Sequence, residues 1–402
     1  MKKVKWLKIE DLDIYISDGN YSSKYPRSSE FVSSGIPFIR ANNLLNKTIS
    51  PQEMYFITPE KHQTLLKGHI KTGDILITTR GDLGKTALVP ESYNDANINA
   101  QLVLLRANPQ QIDPKFLIWC FDTVEVKFQI TQLQTGTALQ QLPVGKLRKI
   151  EIPVPSLEEQ KRIAEVLDRA EELRSKRREA IAQLDILTQA IFIEMFGDPK
   201  SNPKGWNLTK VGEIADVQGG LQVSSSRKKY PREVPYLRVA NVYRGFLNLS
   251  EIKMICATDA EISRTLLEKN DLLIVEGHGN PNEIGRVGLW DGSIPNCIHQ
   301  NHIIRARFGT NKIVPIYVCH YLNSPGGRQH LLKSGKTTSG LNTISVSEVR
   351  STPVSLPPLQ LQQEFACRVE AIEKLKIAHR ASLSELDALF ASLQHRAFRG
   401  EL

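Results

Sequence analysis

The stretch SLEEQKRIAEVLDRAEELRSKRREAIAQLDILTQAIFIEMF, from Ser156 to Phe196, contains neither glycine nor proline. Ser156 followed by Glu159 is a capping-box opening, in which each side chain satisfies the other residue's free backbone N–H. Apolar residues recur at heptad spacing in two rows. One row reads Ile163, Ala170, Arg177, Leu184, Ile191, and the other Val166, Leu173, Ala180, Leu187, Glu194. The pattern predicts a single uninterrupted helix with one apolar stripe. At about 1.5 Å per residue it is a rod of roughly 60 Å. A stripe that long cannot be buried inside one small domain, so a second rod is needed.

The end of the chain supplies one. LQLQQEFACRVEAIEKLKIAHRASLSELDALFASLQHRAFRGEL, from Leu359 to Leu402, aligns with the first rod when shifted by 202 residues. Ile163 then falls on Phe365, Leu173 on Leu375, Leu184 on Leu386, Leu187 on Leu389 and Phe196 on Phe398. The polar break at Arg177 meets another polar residue, His379. The second rod starts where the preceding globular segment ends. It must run back to cover the first, which predicts an antiparallel two-helix coiled coil.

The segments between the rods repeat as well. Tyr25-Pro26-Arg27 recurs as Tyr230-Pro231-Arg232, IPFIRANN (36–43) as VPYLRVAN (234–241), and NINAQLVLLRA (97–107) as NCIHQNHIIRA (296–306). Runs such as DILITT, DLLIVE and NHIIRARF are short, β-branched and bounded by Gly, Asn or Asp, as strands are. Each globule also contains a helical patch. The expected fold is therefore α+β: two mixed α/β domains related by an approximate two-fold axis and separated by the coiled coil. The expected divisions are 1–155 and 199–355 for the globules and 156–198 and 356–402 for the rods.

The net charge is +9. Counting Lys and Arg against Asp and Glu, residues 1–155 carry 19 and 15, 156–198 carry 7 and 10, 199–355 carry 20 and 12, and 356–402 carry 6 and 6. The excess sits on the globules, as expected of a chain that grips a polyanion with them. The five cysteines are scattered without a CxxC pair, which argues for reduced thiols in a cytoplasmic protein and against a zinc site. No apolar run approaches a membrane span.

Catalytic motifs are missing. Gly84-Lys85-Thr86 lacks the glycine five residues upstream that a P-loop requires. His299 and His302 have no HExxH or cysteine companion and read as ordinary polar side chains. No catalytic set and no metal site is expected. What remains is surface recognition, with residues that suit a nucleic acid. The loops Gly19–Glu30 and Gly219–Glu233 offer Tyr21, Lys24 and Arg27, and Ser225, Arg227, Lys228 and Lys229, which suit phosphate contacts. Arg40, Asn42 and Asn43, with Arg238 and Asn241, end corresponding strands and have base-reading chemistry. Arg80 and Lys85 at one hairpin tip correspond to Glu276, His278, Asn280 and Arg286 at the other. Gln101 and Gln300 match at a strand mouth, and Lys336 completes the set.

The motifs PVPSLEEQKRI (153–163), LPPLQLQQEF (356–365) and AFRGEL (397–402), set in two globule-plus-rod repeats, resemble the specificity subunits of type I restriction–modification systems. The resemblance covers the whole chain. It implies a non-catalytic subunit in which each globule reads half of a split double-stranded DNA sequence. The rods would set the spacer and dock two methyltransferase subunits, with motor–nuclease subunits joining for cleavage. S-adenosylmethionine, ATP and Mg²⁺ would belong to those partners and not to this chain. Two other readings are a coiled-coil scaffold with protein-binding globules and the specificity part of a fused restriction–methylation enzyme.

Overall fold

Short β-branched runs flanked by Gly, Asn and Asp form the strands, and the same arrangement is built twice. The computed structural model describes residues 4–19, 23–137, 139–309, 312–338 and 341–402. Strands β1 (Ile14–Asp18), β2 (Ile75–Thr78), β3 (Thr86–Leu88) and β4 (Leu102–Ala107) form an antiparallel sheet in the order β1-β4-β2-β3. Strands β5 (Ala215–Gly219), β6 (Leu272–Val275), β7 (Val287–Leu289) and β8 (Ile303–Phe308) form a second one in the order β5-β8-β6-β7. The central strands β2 and β6 are buried at every residue. This follows from cover on both faces. Ile75, Ile77, Val103 and Leu105 pack towards Phe116, Leu117 and Phe121, while Leu76, Leu102 and Leu104 pack towards Ile39, Ile70 and Ile98.

One ion pair recurs in both sheets. Arg106 donates from Nε and a terminal nitrogen to the two oxygens of Asp74 at 2.7 Å each, and Arg307 does the same to Asp271 at 2.8 and 2.7 Å. Both aspartates are 1% exposed, so the bidentate partner and a backbone N–H, from Lys71 and Glu268 respectively, offset their desolvation.

Beside each main sheet lies a smaller one. Ile36–Ile39 pairs with Tyr55–Ile57 and, in parallel, with Asn97–Ile98; Arg232–Leu237 pairs with Lys253–Ala257 and, in parallel, with Ile298–His299. These registers set Asn97 opposite Phe38 and Ile298 opposite Tyr236. The repeat offset here is therefore 298 − 97 = 201, two more than the alignment of 97–107 with 296–306 implies. The counterpart of Gln101 is His302, and that of Gln300 is Asn99. A two-residue slip leaves every side chain on its proper face, so alternation in the sequence does not reveal it.

Two long helices, α1 (Leu157–Phe196) and α2 (Leu359–Arg399), match the two rods. The chain divides into two compact units, Met1–Arg178 with Ala381–Leu402, and Glu179–Arg380. Each long helix thus gives half its length to each unit, whereas the sequence divisions kept rods and globules separate. In the first unit Ile163, Leu167, Phe390 and Phe398 join the core, and Arg174 pairs with Asp387 at 2.6 Å. In the second, Phe192, Phe196, Tyr317 and Phe365 form an aromatic cluster, and Asp185 pairs with Lys376 at 2.7 Å.

The inward rows of α1 correct the expected stripe. The row Ile163, Ala170, Arg177, Leu184, Ile191 is buried or half-buried. Its companion is Gln160, Leu167, Arg174, Ile181, Thr188, Met195, one residue later than the expected Val166, Leu173, Ala180, Leu187, Glu194. Leu173 and Leu187 are 44% and 46% exposed, and the aligned Leu375 and Leu389 of α2 are 53% and 50% exposed. Positions i+3 and i+4 both flank the first row, and the greater apolarity of the i+3 set hid the choice. Arg174 fills its inward place by laying its guanidinium 4.3 Å over the Phe390 ring while reaching Asp387.

The capping box at the start of α1 is half realised. Ser156 Oγ accepts from the Glu159 N–H at 3.4 Å, while the Glu159 carboxylate pairs with Arg162. The firmer anchor is Gln160, 1% exposed. Its Oε1 accepts from the Asp113 N–H and its Nε2 donates to the carbonyls of Gln111 and Pro155. Gln362 repeats this on α2 with Val314, Lys312 and Pro357. Replacing Gln160 by Ala strands three backbone groups in the core, and the expected loss is about 2–4 kcal/mol in denaturant unfolding. Substituting the neighbouring exposed Lys161 by Ala should stay within about 0.5 kcal/mol.

Candidate nucleic-acid interface

A close backbone crossing starts the candidate face in each unit. A Cβ on Gly19 would lie 2.2 Å from the Asn99 carbonyl oxygen, and a Cβ on Gly220 would lie 2.2 Å from that of Gln300. Only glycine lets the chain pass there. Alongside, the Thr79 N–H donates to the Gln101 carbonyl and the Glu276 N–H to the His302 carbonyl, both at 2.9 Å. Each unit therefore sets side by side the glycine at the end of β1 or β5, the turn entering β4 or β8, and the hairpin tip after β2 or β6.

On the first unit Lys24, Arg27, Asn42, Lys85 and Gln101 are exposed. Lys85 pairs with Asp82 at 2.7 Å, and Asn99 donates from its side-chain amide to Gln101 Oε1 at 3.0 Å. Arg80 is half-buried and its backbone bridges to Gln141. On the second unit Ser225, Lys228, Lys229 and Asn280 are exposed, and His278 and Gln300 are half-buried. Lys336 lies on the strand Lys336–Thr338. Tyr21, and the side chain of Lys336, lie outside the described part of the structure.

Four expected contact residues turn inward instead. Asn43 and Asn241 are 0% and 3% exposed. Each accepts from the N–H three residues back, of Arg40 or Arg238, and donates to two carbonyls: Ser50 and Gln52 for Asn43, Asn248 and Glu251 for Asn241. They close a tight turn and have no amide left for a base. Arg227 is buried against Glu261 at 2.6 Å and the Cys256 carbonyl. Arg286 is buried against Glu283 at 3.0 Å and the Val239 carbonyl. A buried arginine with a carboxylate partner is framework, since exposing it would leave the partner charge unpaired. Arg40 and Arg238 are intermediate cases. Both are half-buried and braced on the carbonyls of Glu53 and Glu251, and Arg40 also lies 3.5 Å over the Tyr55 ring.

The structure adds His302, Tyr243 and Phe246 to the expected contacts and gives Glu276 its surroundings. At the second hairpin tip, burial pushes the Glu276 carboxyl up to about 7, with His302 Nδ1 at 3.9 Å. Thr79 and Gln101 occupy the same two backbone positions in the first unit. Tyr243 and Phe246 stack with centroids 4.9 Å apart while remaining 39% and 51% exposed; two aromatics flanking the Arg244-Gly245 turn were the available signal. His299, by contrast, is a core histidine. It is fully buried, its Nδ1–H donates to the Ile303 carbonyl at 2.9 Å, and burial pushes its pKa down to about 4.

A duplicated frame with loop tips of differing chemistry, on basic globules, defines a DNA-specificity architecture. The family model for the type I restriction modification DNA specificity domain matches the chain twice, over residues 7–183 and 203–387, and the chain belongs to that family. It is 27% identical over 391 residues to the EcoKI specificity subunit of Escherichia coli K12, covering 91% of this chain and 82% of the relative. It is 26% identical to the StySPI specificity subunit of Salmonella potsdam, with the same coverage. The fold matches the type I S subunit from M. genitalium with a TM-score of 0.57 at 16% identity, covering 99% of this chain and 97% of that one. A structure from a study of complex assembly in a type I system gives 0.58 at 20% identity, covering 100% and 99%. The protein is thus a DNA-recognition component of a restriction–modification system. No helix among the described residues is long and apolar enough to cross a membrane.

Glu276 makes stability depend on pH. With its folded value near 7 against an ordinary 4.5, the folded state holds a proton over that window that the unfolded state has released. The stabilisation is full below about pH 4.5 and is lost as pH rises through 7. Glu276→Gln should unfold like wild type at pH 4.5 and be more stable at pH 8, by on the order of 2 kcal/mol. Denaturant titrations at the two pH values measure this.

Proposed function

We propose that each unit reads one half of a bipartite double-stranded DNA target and that the chain itself catalyses nothing. The observation that carries this reading is one backbone frame with unlike side chains at equivalent places: Thr79 and Glu276, Gln101 and His302. The hairpin is also longer in the second unit, where β6 ends at Val275 and β7 begins at Val287, against Thr78 and Thr86 in the first. Glutamine suits adenine and a carboxylate suits the cytosine amino group, so the two tips favour different bases. The exposed lysines and Arg27 serve phosphates, where contacts position the protein without reading sequence.

The long helices, in this reading, pair as an antiparallel coiled coil that fixes the unread spacer. Their inward rows, alternating by three and four residues, and the ion pairs Arg174–Asp387 and Asp185–Lys376 support it. Leu173 and Leu187, and their counterparts Leu375 and Leu389, form apolar rows in water at matching positions of the repeat. They suit two methyltransferase subunits docking equivalently, with motor–nuclease subunits joining the complex. S-adenosylmethionine, ATP and Mg²⁺ would reside on those partners, and the assembly would work in the cytoplasm.

Methylome sequencing of a host with and without this gene should reveal a split motif. Exchange of residues 1–150 for the matching segment of another such protein should change one half-site and leave the other intact. A change in both halves would sink the reading. Lys228→Glu with Lys229→Glu should weaken binding to all sequences alike and flatten the log–log salt slope by about 2, as measured by titration of labelled duplexes at several salt concentrations. An altered sequence preference would instead assign these lysines to base reading.

A further inference from the structure

His62 lies on the helix Pro59–Thr64, His69 in the loop beyond it, and Asp95 in the turn before Asn97. Their ligand atoms all lie within 4.8 Å of one another. His62 Nε2 is 3.3 Å from one Asp95 oxygen, and His69 Nδ1 is 3.8 Å from the other. The two rings meet edge to face with centroids 4.5 Å apart.

The far nitrogen of each ring is already committed. His69 Nε2 lies 2.6 Å from the Leu65 carbonyl oxygen. That oxygen only accepts, so Nε2 carries a hydrogen and Nδ1 is the nitrogen that faces Asp95. His62 Nδ1 is hydrogen-bonded to the side-chain oxygen of Asn97, which is fully buried, and this leaves Nε2 facing Asp95. Two imidazole nitrogens and a carboxylate thus converge on one place. An outer oxygen acceptor that fixes the tautomer of each histidine is also what a metal-binding imidazole requires.

We propose that His62, His69 and Asp95 bind one Zn²⁺-class divalent ion through two imidazole nitrogens and one carboxylate oxygen. The fourth position opens to solvent beside Asp95, whose side chain is 69% exposed. Tetrahedral bonds of about 2.0–2.2 Å put ligand atoms roughly 3.3–3.6 Å apart. The His62–Asp95 pair is already at that spacing, and a shift of about 1 Å in the His69 loop completes it.

The second unit shows that the fold does not need these residues. Thr58 and Thr258 cap equivalent helices by accepting from Lys61 and Glu261, which equates His62 with Ile262. The bridges His69↔Asn97 and Leu266↔Ile298 equate His69 with Leu266. Asp95 and Asn296 both have left-handed backbone, with φ of 63° and 56°. The same joint is thus made elsewhere from Ile, Leu and Asn. In the first unit the ion would fasten the helix, the loop and the turn beneath Gly19, against whose Cα Gly68 is packed.

The test uses the full chain stripped with a chelator and titrated with Zn²⁺ by calorimetry, with Co²⁺ as a spectroscopic probe. One ion per chain is expected, and Co²⁺ should show ligand-field bands without thiolate charge transfer, which separates this site from the exposed Cys367. His69→Leu and Asp95→Asn install the second unit's residues and so should fold; each is expected to weaken Zn²⁺ binding by at least about tenfold. No Zn²⁺ uptake by the wild-type chain would overturn the proposal. So would unchanged affinity in both variants: the three residues would then be a proton-bridged ion pair, with His62 or His69 donating to Asp95.

Discussion

One buried glutamine ties each globular core to its long helix. Gln160 and Gln362 each satisfy one N–H and two carbonyls of chain segments with no secondary structure of their own, the turns just before a helix. Backbone in such places must be hydrogen-bonded or exposed. A single side chain with both donor and acceptor ends lets the turn stay buried. The helix is thereby fixed in rotation as well as position, and the inward row of α1 that begins at Gln160 inherits its phase from it.

The frame of each unit carries its own electrostatic anchor, the Asp74–Arg106 and Asp271–Arg307 pairs. Each lies across neighbouring strands of the main sheet, at the end away from the hairpin tip. Hairpin length and tip chemistry therefore vary without disturbing it. The four residues that lengthen the second hairpin (287 − 275 against 86 − 78) leave the strand order and the ion pair unchanged. A frame of this kind separates the residues that hold the fold from those free to differ.

Much of this was legible in the sequence. The long helices, the duplication and the central main-sheet strands at 75–78, 102–107, 272–275 and 303–308 follow from periodicity and repeated motifs, because those signals are set by burial. The phase of the helix stripe was not, since the row through Val166 is more apolar than the row through Leu167 that the core actually buries. The two-residue slip of the β4 alignment escaped for the parity reason alone. At the candidate face, Lys24, Lys85, Gln101, Lys228 and Lys229 lie exposed as the sequence suggested. Asn43, Asn241, Arg227 and Arg286 do not, because residues with ideal base-reading chemistry are also ideal for closing turns and pairing buried carboxylates. Composition does not distinguish the two uses. The Arg-x-x-Asn spacing shared by 40/43 and 238/241 is the mark of a turn.

The leucines left outside the helix stripe have a bearing on how the chain behaves as its concentration rises. Leu173, Leu187, Leu375 and Leu389 present apolar surface that water disfavours by roughly 25 cal/mol per Å². Where nothing covers these rows, copies of the chain have one another to associate with, so the share that stays dispersed falls as more of it is present.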